Sequence, residues 1–131
     1  MLFSLYKEVD KMRKILKYED LVVRNYYVIG KMNELGITNQ YTGFYFLVDI
    51  LDQLINESKV VRSFSREVYP VLARKYDKND CTIERDIRNI INVLWDYRLK
   101  NKLVMFWSKA EKPSCCEFIY IIKNYLVMNI A

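Results

Sequence analysis

Arg85, Arg88 and Asn89 stand at i, i+3 and i+4, a spacing that places side chains along one side of a helix. A guanidinium offers two parallel donors, the pattern that meets O6 and N7 of guanine, and a carboxamide matches the donor–acceptor edge of adenine. Cys81 and Thr82 come one turn earlier. On a helical wheel Thr82, Arg85, Asn89 and Asn92 point one way, with Cys81 and Arg88 at the edge of that face. This is the chemistry of reading base edges. Lys59, Arg62, Arg66, Lys75, Lys78 and Lys100 are the candidate phosphate contacts, which position a protein on a duplex without reading its sequence.

Other chemistry is poorly supplied. The chain has no histidine, which removes the commonest general base and the usual partner of a Ser or Cys nucleophile. The His/Cys zinc patterns are excluded for the same reason. Cys81, Cys115 and Cys116 are an odd set with one adjacent pair, a poor disulfide framework that reads as reduced thiols. No convergent polar cluster suggests catalysis. The expectation is a non-enzyme with no metal, no cofactor and no small-molecule substrate.

Charge is distributed unevenly. Residues 1–58 carry 7 basic and 8 acidic side chains, whereas residues 59–112 carry 13 basic and 7 acidic ones. A basic middle segment is what binding to a phosphate backbone requires, because each neutralised phosphate releases counterions.

The elements that would hold these residues are helices. Hydrophobic residues make up 52% of the 131, too many for a disordered chain, and only three Gly and two Pro are present, so turns are few. Leu2, Leu5, Tyr6, Val9, Met12 and Leu16 follow helical spacing. A second run through Val22, Tyr26, Ile29 and Met32 ends near Leu35-Gly36, where glycine can take the left-handed conformation. The pattern leaves open whether these are one helix or two. Residues 41–57 read as a buried central helix apolar on most sides, with Gly43 near its start suited to close backbone packing. Residues 59–64 read as a short helix or turn. Ser65 is a candidate cap for a helix that turns Val68, Val71, Leu72 and Tyr76 inward, and Pro70 should kink or restart it.

Residues 77–80 form a short polar turn, with Asp80 as the expected N-cap of the next helix. Ile83, Ile87, Ile90, Ile91, Leu94 and Trp95 then mark one face through about residue 97. Residues 103–107 are ambiguous between a helical turn and a short strand. Ser114 and Glu117 have capping-box spacing ahead of a last helix with Phe118, Ile121, Ile122, Tyr125 and Leu126 inward. The expected fold is all-α, a compact bundle of about six helices containing a helix-turn-helix. In that motif the N-terminal residues of the second helix meet base edges in the major groove. Against it stands an ordinary surface helix whose arginines pair with Glu84, Asp86 or Glu67.

No signal peptide is evident, since Lys7, Glu8 and Asp10 interrupt the apolar start. The apolar stretch at residues 118–131 is too short to span a bilayer and contains Lys123 and Asn124. The expectation is a soluble, cytoplasmic protein with no membrane partner.

From about residue 27 to 127 the chain resembles the C-terminal DNA-binding effector domain of the stage-zero sporulation response regulator family. The resemblance is carried by Asn33-Glu34-Leu35-Gly36-Ile37, Gly43-Phe44-Tyr45-Phe46-Leu47, Val68-Tyr69-Pro70 with Ala73-Arg74-Lys75-Tyr76, Ile83-Glu84-Arg85 with Ile87-Arg88 and Trp95, and Lys112-Pro113-Ser114 with Glu117-Phe118-Ile119. It implies a helical bundle that binds an operator as tandem domains, with Arg85 and Arg88 matching arginines of the recognition helix. Thr82 replaces an arginine usual in the family, and Asp86 replaces a small apolar residue. About 30 residues precede the match, fewer than a doubly wound receiver domain needs.

The sequence therefore reads as an N-terminal amphipathic extension over residues 1–26, a possible dimer seam or a packing element, and a helix-turn-helix domain over residues 27–131 with its recognition helix at about 80–97. The function read from it is a transcription regulator without a receiver, binding specific duplex DNA as a homodimer or in tandem. The alternative is a protein-interaction module, a decayed DNA reader that acts by binding a sporulation or transcription regulator.

Overall fold

The computed structural model describes Leu5, Lys7 and residues 20–130. The apolar series Leu2, Tyr6, Val9, Met12 and Leu16 lies outside the described residues, and Leu5 is exposed. Residues 20–24 are helical and are set off from the next helix by a turn at Asn25. Helix α1 (Tyr26–Glu34) buries Val28 and Met32. It stops as the sequence indicates. Gly36 has φ of +88°, the Ile37 amide donates to Met32 O at 2.9 Å, and the Gly36 amide donates to Asn33 O at 2.9 Å. These two bonds form a Schellman close, with the apolar contact falling between fully buried Ile37 and Met32.

Helix α2 (Phe44–Ile55) is the central element, with Phe44, Leu47, Val48, Ile50 and Leu51 all in the core. It also buries two carboxylates. Asp49 accepts from Lys75 Nζ at 2.6 Å and Tyr76 Oη at 2.7 Å. Asp52 receives both arms of Arg24, Nε at 3.0 Å and Nη2 at 2.6 Å, with Asn25 and Asn56 also donating. A buried charge is tolerated only when paired and hydrogen-bonded, so these carboxylates fix what may pack on α2. Asp49 selects the helix carrying Lys75, and Asp52 selects residues 20–25.

Residues 59–62 form neither helix nor strand. Helix α3 (Phe64–Glu67) has Ser63, not the expected Ser65, at its N-cap position. Glu67 reaches back to the amides of Arg62 and Ser63, both at 2.7 Å. The chain breaks at Val68, and helix α4 (Tyr69–Tyr76) restarts with Pro70 in its first turn, where a missing N–H costs nothing. The inner face follows Val68 and Leu72 with half-buried Tyr76. Val71, expected inward, is exposed, because it lies about 100° from Leu72 around the restarted helix.

Asp77 takes the left-handed conformation (φ 54°) and ends α4. Helix α5 (Asp80–Leu94) follows. Its N-cap position is occupied by Asn79, whose side chain makes no capping bond, and Asp80 is the first helical residue. The first-turn amides of Thr82 and Ile83 are met by the Asn79 carbonyl instead. Asp80 still acts favourably there, as a negative charge at the positive end of the helix dipole.

A π-helical turn (Trp95–Leu99) and one α-turn (Lys100–Lys102) extend α5. Ile91, Trp95, Leu99 and Leu103 are all buried at steps of four. A strict four-residue repeat drifts around a 3.6-residue helix, and one wider turn corrects that drift. Residues 103–106 form a turn closed by Phe106 N to Leu103 O at 2.9 Å, and no strand occurs among the described residues. Helix α6 (Cys115–Ile130) opens on the expected capping box. Ser114 N donates to Glu117 Oε1 at 3.1 Å, and Glu117 N donates to Ser114 Oγ at 3.3 Å. Phe118, Ile121, Ile122 and Leu126 point inward, with Tyr125 half-buried. The architecture is an all-α bundle in which α5 packs on α2, α4 and α6.

Candidate nucleic-acid interface

Helices α4 and α5, joined by Asp77-Lys78-Asn79, form the helix-turn-helix. The grip on α5 comes from Ile83, Ile87 and Ile90, which are fully buried, and Ile91, which is nearly so. Its depth is set by backbone contact. A Cβ on Gly43, just before α2, would lie 2.6 Å from the Asp86 carbonyl oxygen and 3.0 Å from the Ile87 amide nitrogen. Only hydrogen fits at this approach. The second helix is thereby seated directly on the start of the central one.

The side of α5 away from the isoleucines carries the residues expected to meet base edges. Cys81, Arg85, Arg88 and Asn89 are exposed and Thr82 is half-buried. The Arg85 side chain is 72% exposed, and its Nε is 3.6 Å from Asp86 Oδ1. At that distance the contact is an ion pair in water, worth about 0–1 kcal/mol, and does not hold the guanidinium. Arg88 is held more firmly. Its Nη2 donates to Glu84 Oε1 one turn back. Of the two arginines, Arg85 is the freer.

The cations expected to hold phosphates divide into groups. Arg62 precedes α3 and Arg66 lies within it, both with exposed side chains, and Lys78 is exposed in the turn before α5. Lys59 donates to Gln53 Oε1 at 3.3 Å. Lys75 is committed to the core through buried Asp49, which the sequence pattern did not indicate because the partner lies 26 residues away. Lys100 stands in the last turn beyond α5, roughly 25–30 Å along the axis from the helix start.

The structure also packs the head of α6 against the side of α5 that carries Glu84 and Arg88. Cys115 at the head of α6 places Sγ 3.5 Å from the Glu84 carbonyl. Burial pushes its thiol up to about 11, so it remains protonated. Arg62, Tyr69, Glu84, Arg88, Cys115 and Cys116 share the lining of one cleft. The signal that could have pointed there is the Lys112-Pro113-Ser114 helix start, whose capping box fixes where α6 begins.

Among the described residues, no helix is long and apolar enough to cross a membrane. No group of three or more His, Cys, Asp or Glu side chains is placed to hold a metal there.

A helix-turn-helix anchored by isoleucines and carrying arginines on its outer face agrees with what comparison with known families finds. Residues 28–126, most of the chain, match the family described as "Sporulation initiation factor Spo0A C terminal". The protein thus belongs to the Spo0A C-terminal family and is a DNA-binding effector domain of the sporulation regulator type.

Proposed function

We propose that this protein is a transcription regulator that binds specific duplex sequences by inserting the first turns of α5 into the major groove. The observation that carries the reading is the division of α5. Ile83, Ile87 and Ile90 are wholly buried, while the Arg85 side chain is 72% exposed on the outer face. Arg85 is the principal base-reading side chain, donating to a guanine edge, and Asn89 reads an adenine one turn further. Arg88 contributes once it leaves Glu84, and Cys81 and Thr82 contact bases at the helix start. Arg62 and Arg66 lie just before the motif in sequence and Lys78 lies in its turn, and they supply phosphate contacts with Lys59. Lys75 and Lys100 are the weakest members of that group, one paired with Asp49 and the other distant. The protein binds as a homodimer or in tandem.

Fluorescence anisotropy against a site selected from a random duplex pool tests this reading. Arg85→Ala is expected to weaken specific binding by roughly 1–3 kcal/mol and to relax preference at one base. Unchanged affinity would exclude Arg85 from base reading.

One observation favours a second reading. The outer face of α5 carries its own counter-charges, Glu84 on Arg88 and Asp86 beside Arg85, and acidic groups near phosphate are unfavourable. On that reading the domain acts as a protein-interaction module, binding a regulator or the transcription machinery. It then shows little DNA binding at physiological salt and a protein partner in pull-downs.

A further inference from the structure

We propose that the cleft between residues 61–65, α5 and the start of α6 is a binding site for a phosphate-type oxyanion, with Arg62 and Arg88 as its cationic walls and the Tyr69 hydroxyl as a neutral donor at its base. The cleft encloses about 410 Å³, enough for a phosphate together with a small organic group. Tyr69 is 4% exposed, yet its hydroxyl has no hydrogen-bond partner. A buried polar group left unpaired costs stability. Here it lies beside Cys116, Cys115 and Glu84, all of which line the same cleft. The neighbouring Cys116 thiol does not meet hydrogen-bond geometry with it.

The groups around the base are neutral apart from the Glu84 carboxylate. Burial drives the ionisation of Tyr69 far above its ordinary value, so the hydroxyl stays a donor. Burial also raises both cysteine thiols, Cys115 to about 11, so neither adds negative charge at neutral pH. Glu84 is the one acidic group in the lining, set against two guanidiniums, and it is hydrogen-bonded to Arg88. The Glu117 amide in the first turn of α6 is taken by Ser114 Oγ, which leaves the Cys115 and Cys116 amides without an intrahelical acceptor at the N-terminal end of the helix. An arriving oxyanion competes with Glu84 for the Arg88 guanidinium. Occupation of the cleft therefore changes the freedom of an arginine on the groove-facing helix.

The test uses the full chain, isotopically labelled, titrated with inorganic phosphate against chloride at matched ionic strength. Saturable shifts of the Cys115 and Cys116 amides are expected with phosphate alone. Tyr69→Phe and Arg62→Ala are each expected to raise the phosphate Kd about fivefold, the effect of one hydrogen bond or weak charge contact. Tyr69→Phe should melt no lower than the parent protein, because it removes a hydroxyl that has no partner. No saturable shift, equal phosphate affinity in Tyr69→Phe, or a lower melting temperature for Tyr69→Phe would each overturn the site. A short duplex added to phosphate-loaded protein identifies the source of the oxyanion. Displacement assigns a backbone phosphodiester and joint binding assigns a small phosphorylated molecule, and both results require the site to exist. Phosphate binding is read without any operator, so failure here and failure of base reading are separate results.

Discussion

The Cα of Gly43 lies so close to the Asp86 carbonyl that a methyl group added there would approach the oxygen to 2.6 Å. The start of the central helix thus serves as a backbone rest for α5. Gly43→Ala is expected to destabilise the protein by about 1–3 kcal/mol, the usual cost of overpacking. Gly30, inside α1, has nothing within 4 Å of an added Cβ, so Gly30→Ala should stabilise by up to about 1 kcal/mol through helix propensity. Urea denaturation of the two variants measures both. A neutral Gly43→Ala would mean that α5 can retreat at no cost.

The bond from Arg88 to Glu84 makes Glu84→Gln informative. Neutralising the carboxylate releases Arg88 and removes one negative charge from the outer face of α5. DNA affinity is expected to rise several-fold, which anisotropy at fixed salt reads directly. In Arg88→Ala the gain from Glu84→Gln should shrink, since the two act as a unit. An equal gain in both backgrounds would show that only charge, not a freed donor, is involved.

Residues 20–25 are docked by the pairing of Arg24 with Asp52. Arg24→Ala leaves the Asp52 carboxylate, 2% exposed at its side chain, with only Asn25 and Asn56 as partners. Because Arg24 is itself about half exposed, screening reduces the cost to about 1–3 kcal/mol. The loss should appear as faster amide exchange in residues 20–25 before global unfolding.

Acid should weaken the fold through three carboxylates. Burial works against ionised Asp52, but hydrogen bonds from Arg24, Asn56 and Asn25 outweigh it and hold the group below its ordinary 3.8. Backbone amides of Ser63 and Arg62 lower Glu67, and that of Ser114 lowers Glu117, both below 4.5. A carboxylate whose folded value is depressed contributes stability that is complete above the unfolded value and is lost as pH falls through the folded one. Stability at fixed urea is therefore expected to be flat above about pH 5 and to drop below the range 3.8–4.5. Ser114→Ala, which removes the other half of the α6 capping box, should cost about 0.5–2 kcal/mol at neutral pH.

Local chemistry was the legible part of this fold. Gly36 ending α1, Pro70 restarting α4 and the Ser114–Glu117 box opening α6 each depend on residues within five positions of one another. The isoleucine face of α5 was equally readable, because burial follows the helical period. What could not be read depends on distant partners. Nothing in the sequence around Lys75 indicates that its ammonium belongs to Asp49, and nothing around Arg24 points to Asp52. Asp80 has the composition of a cap, but the chain enters the helix one residue earlier and Asn79 takes that position. Val71 shares an apolar character with Leu72 but not its direction. The candidate interface was legible as a set of exposed cations on α5. The cleft beside Arg88 was not, since it is formed only when the head of α6 packs under Glu84.

The central claim is that α5 reads sequence while nearby cations hold phosphate. Its most direct test is anisotropy across a salt series with a selected duplex and a scrambled one of equal length. The account expects log Kobs to fall steeply and linearly with log salt for both, about 0.9 for each phosphate neutralised, with the selected site tighter by at least about a thousandfold. Equal affinity for the two duplexes at every salt concentration would contradict it.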